Sequence, residues 1–268
     1  MTIQKPLLFI KQLLLAIALS PSLCSAEQLI IKVGVQDTNG SPVILGEGSK
    51  LASPPGIGID ILLKVAKDLD LTFEISRRPN TRVHYEFSAG IFDASGFYSY
   101  KKEREKEGVF PRNEKGELDK TKSISRQSYY FYAPNDTTIS WDGKTLSGAN
   151  LVGANSGYSI VANLKSLGID VNEVKSIKQN LMVMAAGYTQ AYAAQDAALD
   201  PIIASYPQWR HLIKIGPAIK TKEYYFMFSH SFYNQNKEIA HKVWDKISEV
   251  RSSVDAKYKA MKMRPKLE

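Results

Sequence analysis

The chain has little of what redox or metal chemistry needs. Its 268 residues include one cysteine, Cys24, and four histidines, His84, His211, His230 and His241. A lone thiol excludes a disulfide framework and a Cys-based metal site, and the histidines show no metal-ligand spacing. No Gly-x-Ser-x-Gly elbow and no phosphate loop occurs, so hydrolase and nucleotide chemistry find no motif here. Beyond the N-terminal segment there is no long uncharged apolar run, no low-complexity tract and no domain-sized linker. No cofactor is implied.

What is present starts with that N-terminal segment. Lys5 and Lys11 accompany an apolar run, Leu13–Leu19, which Pro21 breaks, and Cys24-Ser25-Ala26 places small residues before a cut after Ala26. This pattern predicts a cleavable secretory signal over 1–26, with a core too short to span a membrane. Pro21 stands where a lipoprotein signal carries leucine, which argues against a lipid anchor. Cleavage would remove Cys24 and leave a thiol-free chain in the periplasm. The formal charge is +8, two units of it on the signal lysines. The remaining basic residues alternate with acids, as in KKEREKE (101–107), so the pattern is a soluble surface and not a nucleic-acid tract. The overall positive field favours small anions.

Periodicity predicts strands at 29–35, 71–76, 91–97, 128–134, 151–155, 171–177, 191–196 and 223–229. Helices are expected at 61–71, capped by Asp60, then at 81–89, 156–168 (ended by Gly168), 181–189, from 200 onward, and 237–252. Strand and helix alternate twice over, which is the signature of an α/β protein with two lobes of similar plan and largely parallel sheets.

Four segments in order carry a resemblance. GIGIDILLKVAKDLDLTFE (56–74) has a Gly-x-x-x-Asp helix opening, and SAGIFDASGFYSYKKEREKEGVFP (88–111) has a Gly-x-x-Asp strand, a hydroxyl residue, Glu-Arg and a Phe-Pro pair. LSGANLVGANSGYS (146–159) and MAAGYTQAYAAQDA (184–197) follow. Together these segments resemble the family-3 extracellular solute-binding proteins, the periplasmic receptors of polar amino acid ABC transporters. The resemblance implies a Venus-flytrap architecture. Lobe 1 would comprise 27–132 and 221–268, lobe 2 would comprise 133–220, and crossings near 132–135 and 217–222 would act as the hinge. It further implies a monomer that holds a small polar solute, an amino acid or related carboxylate, between the lobes and hands it to a transporter permease. No nucleic acid and no metal enter this picture.

The residues can be weighed by what such a ligand needs. A carboxylate buried away from water is best met by a guanidinium, which offers two parallel hydrogen bonds where lysine cannot. The resemblance places Arg104 in that role, with Ser99 as its hydroxyl companion and Phe97 offering a backbone carbonyl; the alternative is a solvated cation paired to Glu103 or Glu107. Asn155, Ser156, Gly157 and Tyr158 are expected to open a helix whose free N–H groups could hold an anion or merely form a cap. Asp196, with Gln195 beside it, matches the receptor for the ligand's ammonium, or else is a turn residue. Asp37 stands near the side-chain pocket or makes an Asx turn.

Several positions depart from the family pattern. Asn80 replaces an aromatic clamp, Tyr158 replaces a small hydroxyl residue, and 111–125 is an extra stretch. Arg82 is a second anion contact or a helix-surface charge, and Tyr98, Tyr100 and Tyr129 could supply an aromatic wall. Two competing outputs stay open. One is a periplasmic dehydratase using Glu47, Glu74 or Asp196; the other is a soluble sensor for a membrane receptor.

Overall fold

The first buried run nucleates the sheet. A computed structural model describes residues 28–261; the expected signal, Cys24 included, lies outside the described residues. Strand β1 (Ile30–Gln36) buries Ile31, Val33 and Val35 completely. Helix α1 (Ile57–Asp68) leads to β2 (Thr72–Arg78), and α2 (Asn80–Ser88) leads to β3 (Ala94–Ser99). Both β2 and β3 pair parallel with β1, as two consecutive βαβ units require.

The chain then passes through 3₁₀ turns at Lys102–Lys106 and Lys120–Lys122 into β4 (Ser125–Pro134). A two-stranded ribbon, β5 (Ser140–Trp141) and β6 (Leu146–Ser147), precedes a second set of βαβ units: β7 (Leu151–Asn155), α3 (Ile160–Ser166), β8 (Asp170–Val174), α4 (Ile177–Ala185), β9 (Ala191–Gln195) and α5 (Asp196–Ser205). Strand β10 (Leu212–Phe228) returns, followed by α6 (His230–Gln235) and α7 (Lys237–Met261). The order across the sheet is β2-β1-β3-β10-β4-β9-β7-β8. Its two ends are parallel, and its middle pairings, β3 with β10, β10 with β4 and β4 with β9, are antiparallel. The expected α/β architecture with two similar halves is therefore present, joined through two long central strands.

Those strands explain the largest difference from the periodicity. Residues 212–222 carry Gly216, Pro217 and three lysines, and periodicity assigns them no strand, yet β10 runs through them. Its register with β4 slips between Ile215 and Lys220. Gly216 sits at the slip with φ +66, and a Cβ there would lie 2.0 Å from the Trp141 carbonyl oxygen, so only glycine fits.

Other boundaries shift for local reasons. Asp60 does not cap α1, which starts at Ile57. It lies in the first turn, where its carboxylate accepts from Lys257 Nζ at 2.8 Å and Tyr258 Oη at 3.1 Å, pinning α7 across α1. Helix α5 starts at Asp196, ahead of the expected 200, and α7 runs beyond 252 to Met261. Under α7, Trp244 is 1% exposed, donates from Nε1 to the Phe226 carbonyl at 2.7 Å, and packs edge-on to Phe228. Burial of such a ring is worth about 2–3 kcal/mol. The extra stretch 111–125 also docks on α7: Lys122 pairs with Asp245 at 2.7 Å and Arg251 donates to Ser123 Oγ at 2.9 Å.

No helix among the described residues is long and apolar enough to cross a membrane.

Candidate functional site

The cleft floor is built by strand alternation. On β4, Ser125, Gln127 and Tyr129 share one face, and their partners across the antiparallel ladder are Tyr224, Lys222 and Lys220. From one side β3 adds its C-terminal residues, and from the other the turn after β7 adds Gly157, Tyr158 and Ser159. The space between them is a cavity of about 60 Å³, enough for several water-sized groups.

Phe97 reaches the cavity through a break in the ladder. Tyr98 opposes Tyr225 and Gly96 opposes Phe226, so Phe97 has no partner on β10. Its ring lies against Gly58 of α1, where an added Cβ would meet it at 2.8 Å. Tyr98, next along, is buried and packs at a tilt against His84 with centroids 4.4 Å apart. It also donates to Asn80 Oδ1 at 3.4 Å. Burial pushes its hydroxyl pKa up to about 12.

Arg104 stands on this platform. It is 7% exposed, its guanidinium carbon lies 5.0 Å from the Tyr98 ring centre, and Nη1 donates to the Ser99 carbonyl at 2.7 Å and to Ser99 Oγ at 3.3 Å. No carboxylate among the described residues lies within 4 Å of it. Glu107 is engaged by His84 at 3.1 Å instead, and Glu105 by Arg112. Among the described residues, the Arg104 Nε and Nη2 groups have no hydrogen-bond acceptor. Burial pulls the guanidinium pKa below its ordinary value, with Tyr98 and Glu107 opposing the shift. A buried cation with donors to spare is costly unless something anionic completes it. The surface-cation alternative for Arg104 is thereby excluded.

Opposite Arg104 lies a hydroxyl cluster. Tyr129 and Tyr224 hydroxyls are 2.8 Å apart, and Gln195 Nε2 donates to both, at 3.0 and 2.7 Å. Burial raises both phenol pKa values, that of Tyr224 to about 12. The two halves also touch across the cleft. Gln36 Nε2 donates to Tyr158 Oη at 3.2 Å, and Lys222 Nζ donates to Ser159 Oγ at 2.7 Å and Asn163 Oδ1 at 2.5 Å. Lys222 Nζ also lies 5.7 Å from the Tyr129 ring centre. Its pKa is lowered to about 7 by burial, then by the charges of Lys101, Arg104 and Lys220.

Of the residues singled out by sequence, Phe97, Tyr98, Ser99, Arg104, Gly157, Tyr158 and Gln195 line the cavity, and so do Tyr129 and Asn80. The others do not. Asn155 is buried beneath the site, accepting from Tyr192 Oη at 2.5 Å and Asn180 Nδ2 at 3.1 Å. Ser156 spends its N–H on the Val174 carbonyl at 2.9 Å, and Tyr158 spends its own on Asn155. The expected helix start at 156 is a turn; α3 begins at Ile160 and is seven residues long, so it presents no anion-binding N-terminus here. Asp196 receives the Ala197 N–H at 2.8 Å at the head of α5. Asp37 makes a distant pair with Lys175 at 3.9 Å. Arg82 is a helix-surface cation, bonded to Glu86 at 2.5 Å, and Tyr100 bonds to Glu105 at 3.2 Å outside the cavity.

Sequence reasoning missed Gln36, Ser125, Gln127, Ser159 and Tyr224. The alternation of SRQSYYFY would have placed Ser125 and Gln127 on the Tyr129 face had the strand been started at Ser125. Nothing comparable marks Gln36 or Ser159. No group of three or more His, Asp or Glu able to hold a metal occurs among the described residues.

Comparisons with known proteins put this geometry in context. No protein-family model matches the chain, and no curated protein matches it. Solved structures do. An ancestral arginine-binding protein bound to glutamine superposes with a TM-score of 0.66 at 16% identity, covering 87% of this chain and 98% of the other. The substrate-binding protein of an amino acid ABC transporter gives 0.63 at 17%, covering 85% and 96%. A histidine kinase sensor domain with similarity to periplasmic binding proteins gives 0.64 at 14%, covering 87% and 93%. At these identities the likeness is one of fold: the chain adopts the two-lobed periplasmic-binding-protein architecture.

Proposed function

We propose that this chain is an exported solute-binding protein of the family-3 type, which captures a small carboxylate between its lobes and delivers it to an ABC transporter permease. The observation that carries this reading is Arg104, a buried guanidinium on the cavity with two nitrogens unspent. A bound carboxylate would complete it through paired charge-assisted hydrogen bonds. Lobe 1 (27–132 and 221–268) supplies Arg104 and Ser99, and lobe 2 (133–220) supplies Tyr158, Ser159 and Gln195. A ligand touching both favours the closed arrangement by its differential affinity. The slip in β10 near Gly216 is where the hinge would bend. Residues 1–26 would direct export and be removed, and the mature protein would act as a monomer.

The dehydratase alternative loses support because Glu47, Glu74 and Asp196 do not line the cavity. Sensing stays a second reading, favoured by the fold likeness to a kinase sensor domain. The direct test is mass spectrometry of small molecules released from the purified mature protein, alongside Arg104→Ala. The variant should keep its circular dichroism spectrum and lose the ligand. Retention of the same compound at wild-type occupancy would refute the assignment.

A further inference from the structure

The charge on the cavity wall itself is one-sided. Arg104 lines it, whereas no Asp or Glu does. A smaller neighbouring cavity of about 10 Å³, which shares Tyr129, Tyr158 and Gln195 with it, has no acid either; the cavity that meets the first at Val43, Ser125 and Gln127 carries Glu223, paired with Arg126 at 3.4 Å, and Asp255. Asp196, the residue matched to an ammonium receptor, is absent from both walls, and neutral Gln195 faces the space instead. The acids whose charges act on the lining residues are committed elsewhere. Glu107 acts on Arg104 and Tyr98 but bonds His84, and Glu47 acts on Tyr158 but accepts the Asn39 N–H at 3.0 Å.

Behind the lining stands one further basic group, Lys222, whose pKa burial lowers to about 7. Lys222 shares the floor face with Gln127 and bonds Ser159, itself a lining residue. The aromatic faces that could hold a ligand's ammonium are partly taken: Lys222 covers Tyr129 and Arg104 covers Tyr98. The unspent neutral groups are different in kind. Gln127 Oε1 and Ser125 Oγ are buried on the cavity with no hydrogen-bond partner, and an uncharged donor such as a hydroxyl would satisfy an acceptor there.

Building on the reading of Arg104 as a carboxylate receptor, we infer that the ligand is a small carboxylic acid lacking an ammonium, such as a hydroxy acid, and not a zwitterionic α-amino acid. An ammonium shut into this space would give up its hydration and meet the Arg104 guanidinium and neutral dipoles with no carboxylate on the wall. A monoanion neutralises Arg104 and leaves a hydroxyl for Gln127.

The experiment is titration calorimetry at neutral pH on the mature protein with matched pairs that differ only in hydroxyl against ammonium: L-lactate and L-alanine, L-malate and L-aspartate, L-phenyllactate and L-phenylalanine. At least one hydroxy acid is expected to bind, ten-fold or more tighter than its amino acid partner, and Arg104→Gln should abolish that binding. Thermal melts of Arg104→Gln and Arg104→Lys check that both fold. An amino acid binding as tightly as its hydroxy partner or tighter, still through Arg104, overturns the inference while leaving the carboxylate site intact. Binding that survives Arg104→Gln, or no binding by any of the six compounds, overturns the carboxylate site and this inference together.

Discussion

Two buried arginines in the same lobe are used in opposite ways. Arg77, at 1% exposure on β2, spends its guanidinium on the loop that follows β1. It donates to the carbonyls of Gln36 at 3.2 Å, Leu45 at 3.3 Å, Lys50 at 2.8 Å and Gly46 at 2.6 Å. Three of the four acceptors lie in an irregular loop that has no ladder of its own, and the fourth, Gln36, ends β1. Arg104 is almost as buried, yet among the described residues its acceptors are the two oxygens of Ser99 alone, and its free edge adjoins a cavity. A cation that completes its hydrogen bonds inside the protein serves the fold. One that leaves donors unspent beside a cavity is, on the proposed reading, where an anion would sit.

The contrast can be broken first by stability. Arg77→Ala should lower the unfolding free energy by roughly 3 kcal/mol, because a buried side chain and its four hydrogen bonds to the Gln36, Leu45, Gly46 and Lys50 carbonyls are lost. Arg104→Met should stay within about 1 kcal/mol of wild type, or exceed it, since an incompletely paired buried charge is replaced by an apolar side chain. Urea melts of the two ligand-free variants measure both, and equal losses would erase the distinction. Ligand binding sharpens it. Arg104→Lys should weaken the captured acid by about ten-fold, a point charge replacing the fork, and calorimetry showing unchanged affinity would refute bidentate pairing.

Smaller effects probe the contacts between lobes. Gly157 has φ +75, and an added Cβ would lie 2.6 Å from Asn80 Nδ2 across the cleft. Gly157→Ala should cost about 1 kcal/mol in backbone strain and weaken ligand binding by holding the lobes apart. Adding Asn80→Gly should restore part of the affinity but none of the strain, which a double-mutant cycle resolves. The smallest effect is one of pH. The Lys222 pKa falls from an ordinary 10.5 to about 7 in the folded protein, so the unfolded chain binds the proton more tightly between those values. The contribution of this residue to stability therefore rises as pH climbs from about 7 toward 10.5, and it is least favourable below 7. Lys222→Met should flatten that part of the stability–pH curve, and an unchanged slope in melts across the window would show that the lysine is not desolvated.

Much of the layout was readable in one dimension because it depends on near neighbours. Runs such as LIIKVGV and LVGAN are buried strands by their composition, and both halves repeat the same alternation of elements. The reading failed where distant segments decide. Periodicity assigns residues 212–222 no strand, but β4 offers them a ladder, and the Trp141 carbonyl dictates the glycine at the slip. SGYSIVANLKSLG looks helical from its first residue, but the Ser156 N–H is captured by Val174 on β8, which delays the helix to Ile160. Asp196 and Gln195 are adjacent and equally polar; the β9–α5 junction turns the amide toward the cavity and leaves the acid to cap its own neighbour.

The linear order of side chains was enough to determine an α/β chain of two matched halves, because periodicity is a property of consecutive residues, and the resemblance carried by its motifs drew attention to Arg104. Only the tertiary structure decided that this arginine is buried with nitrogens unspent, and that its cavity contains no acid. Burial and the neighbourhood of a charge depend on which of the distant strands and turns meet around it, a relation that residue spacing does not encode.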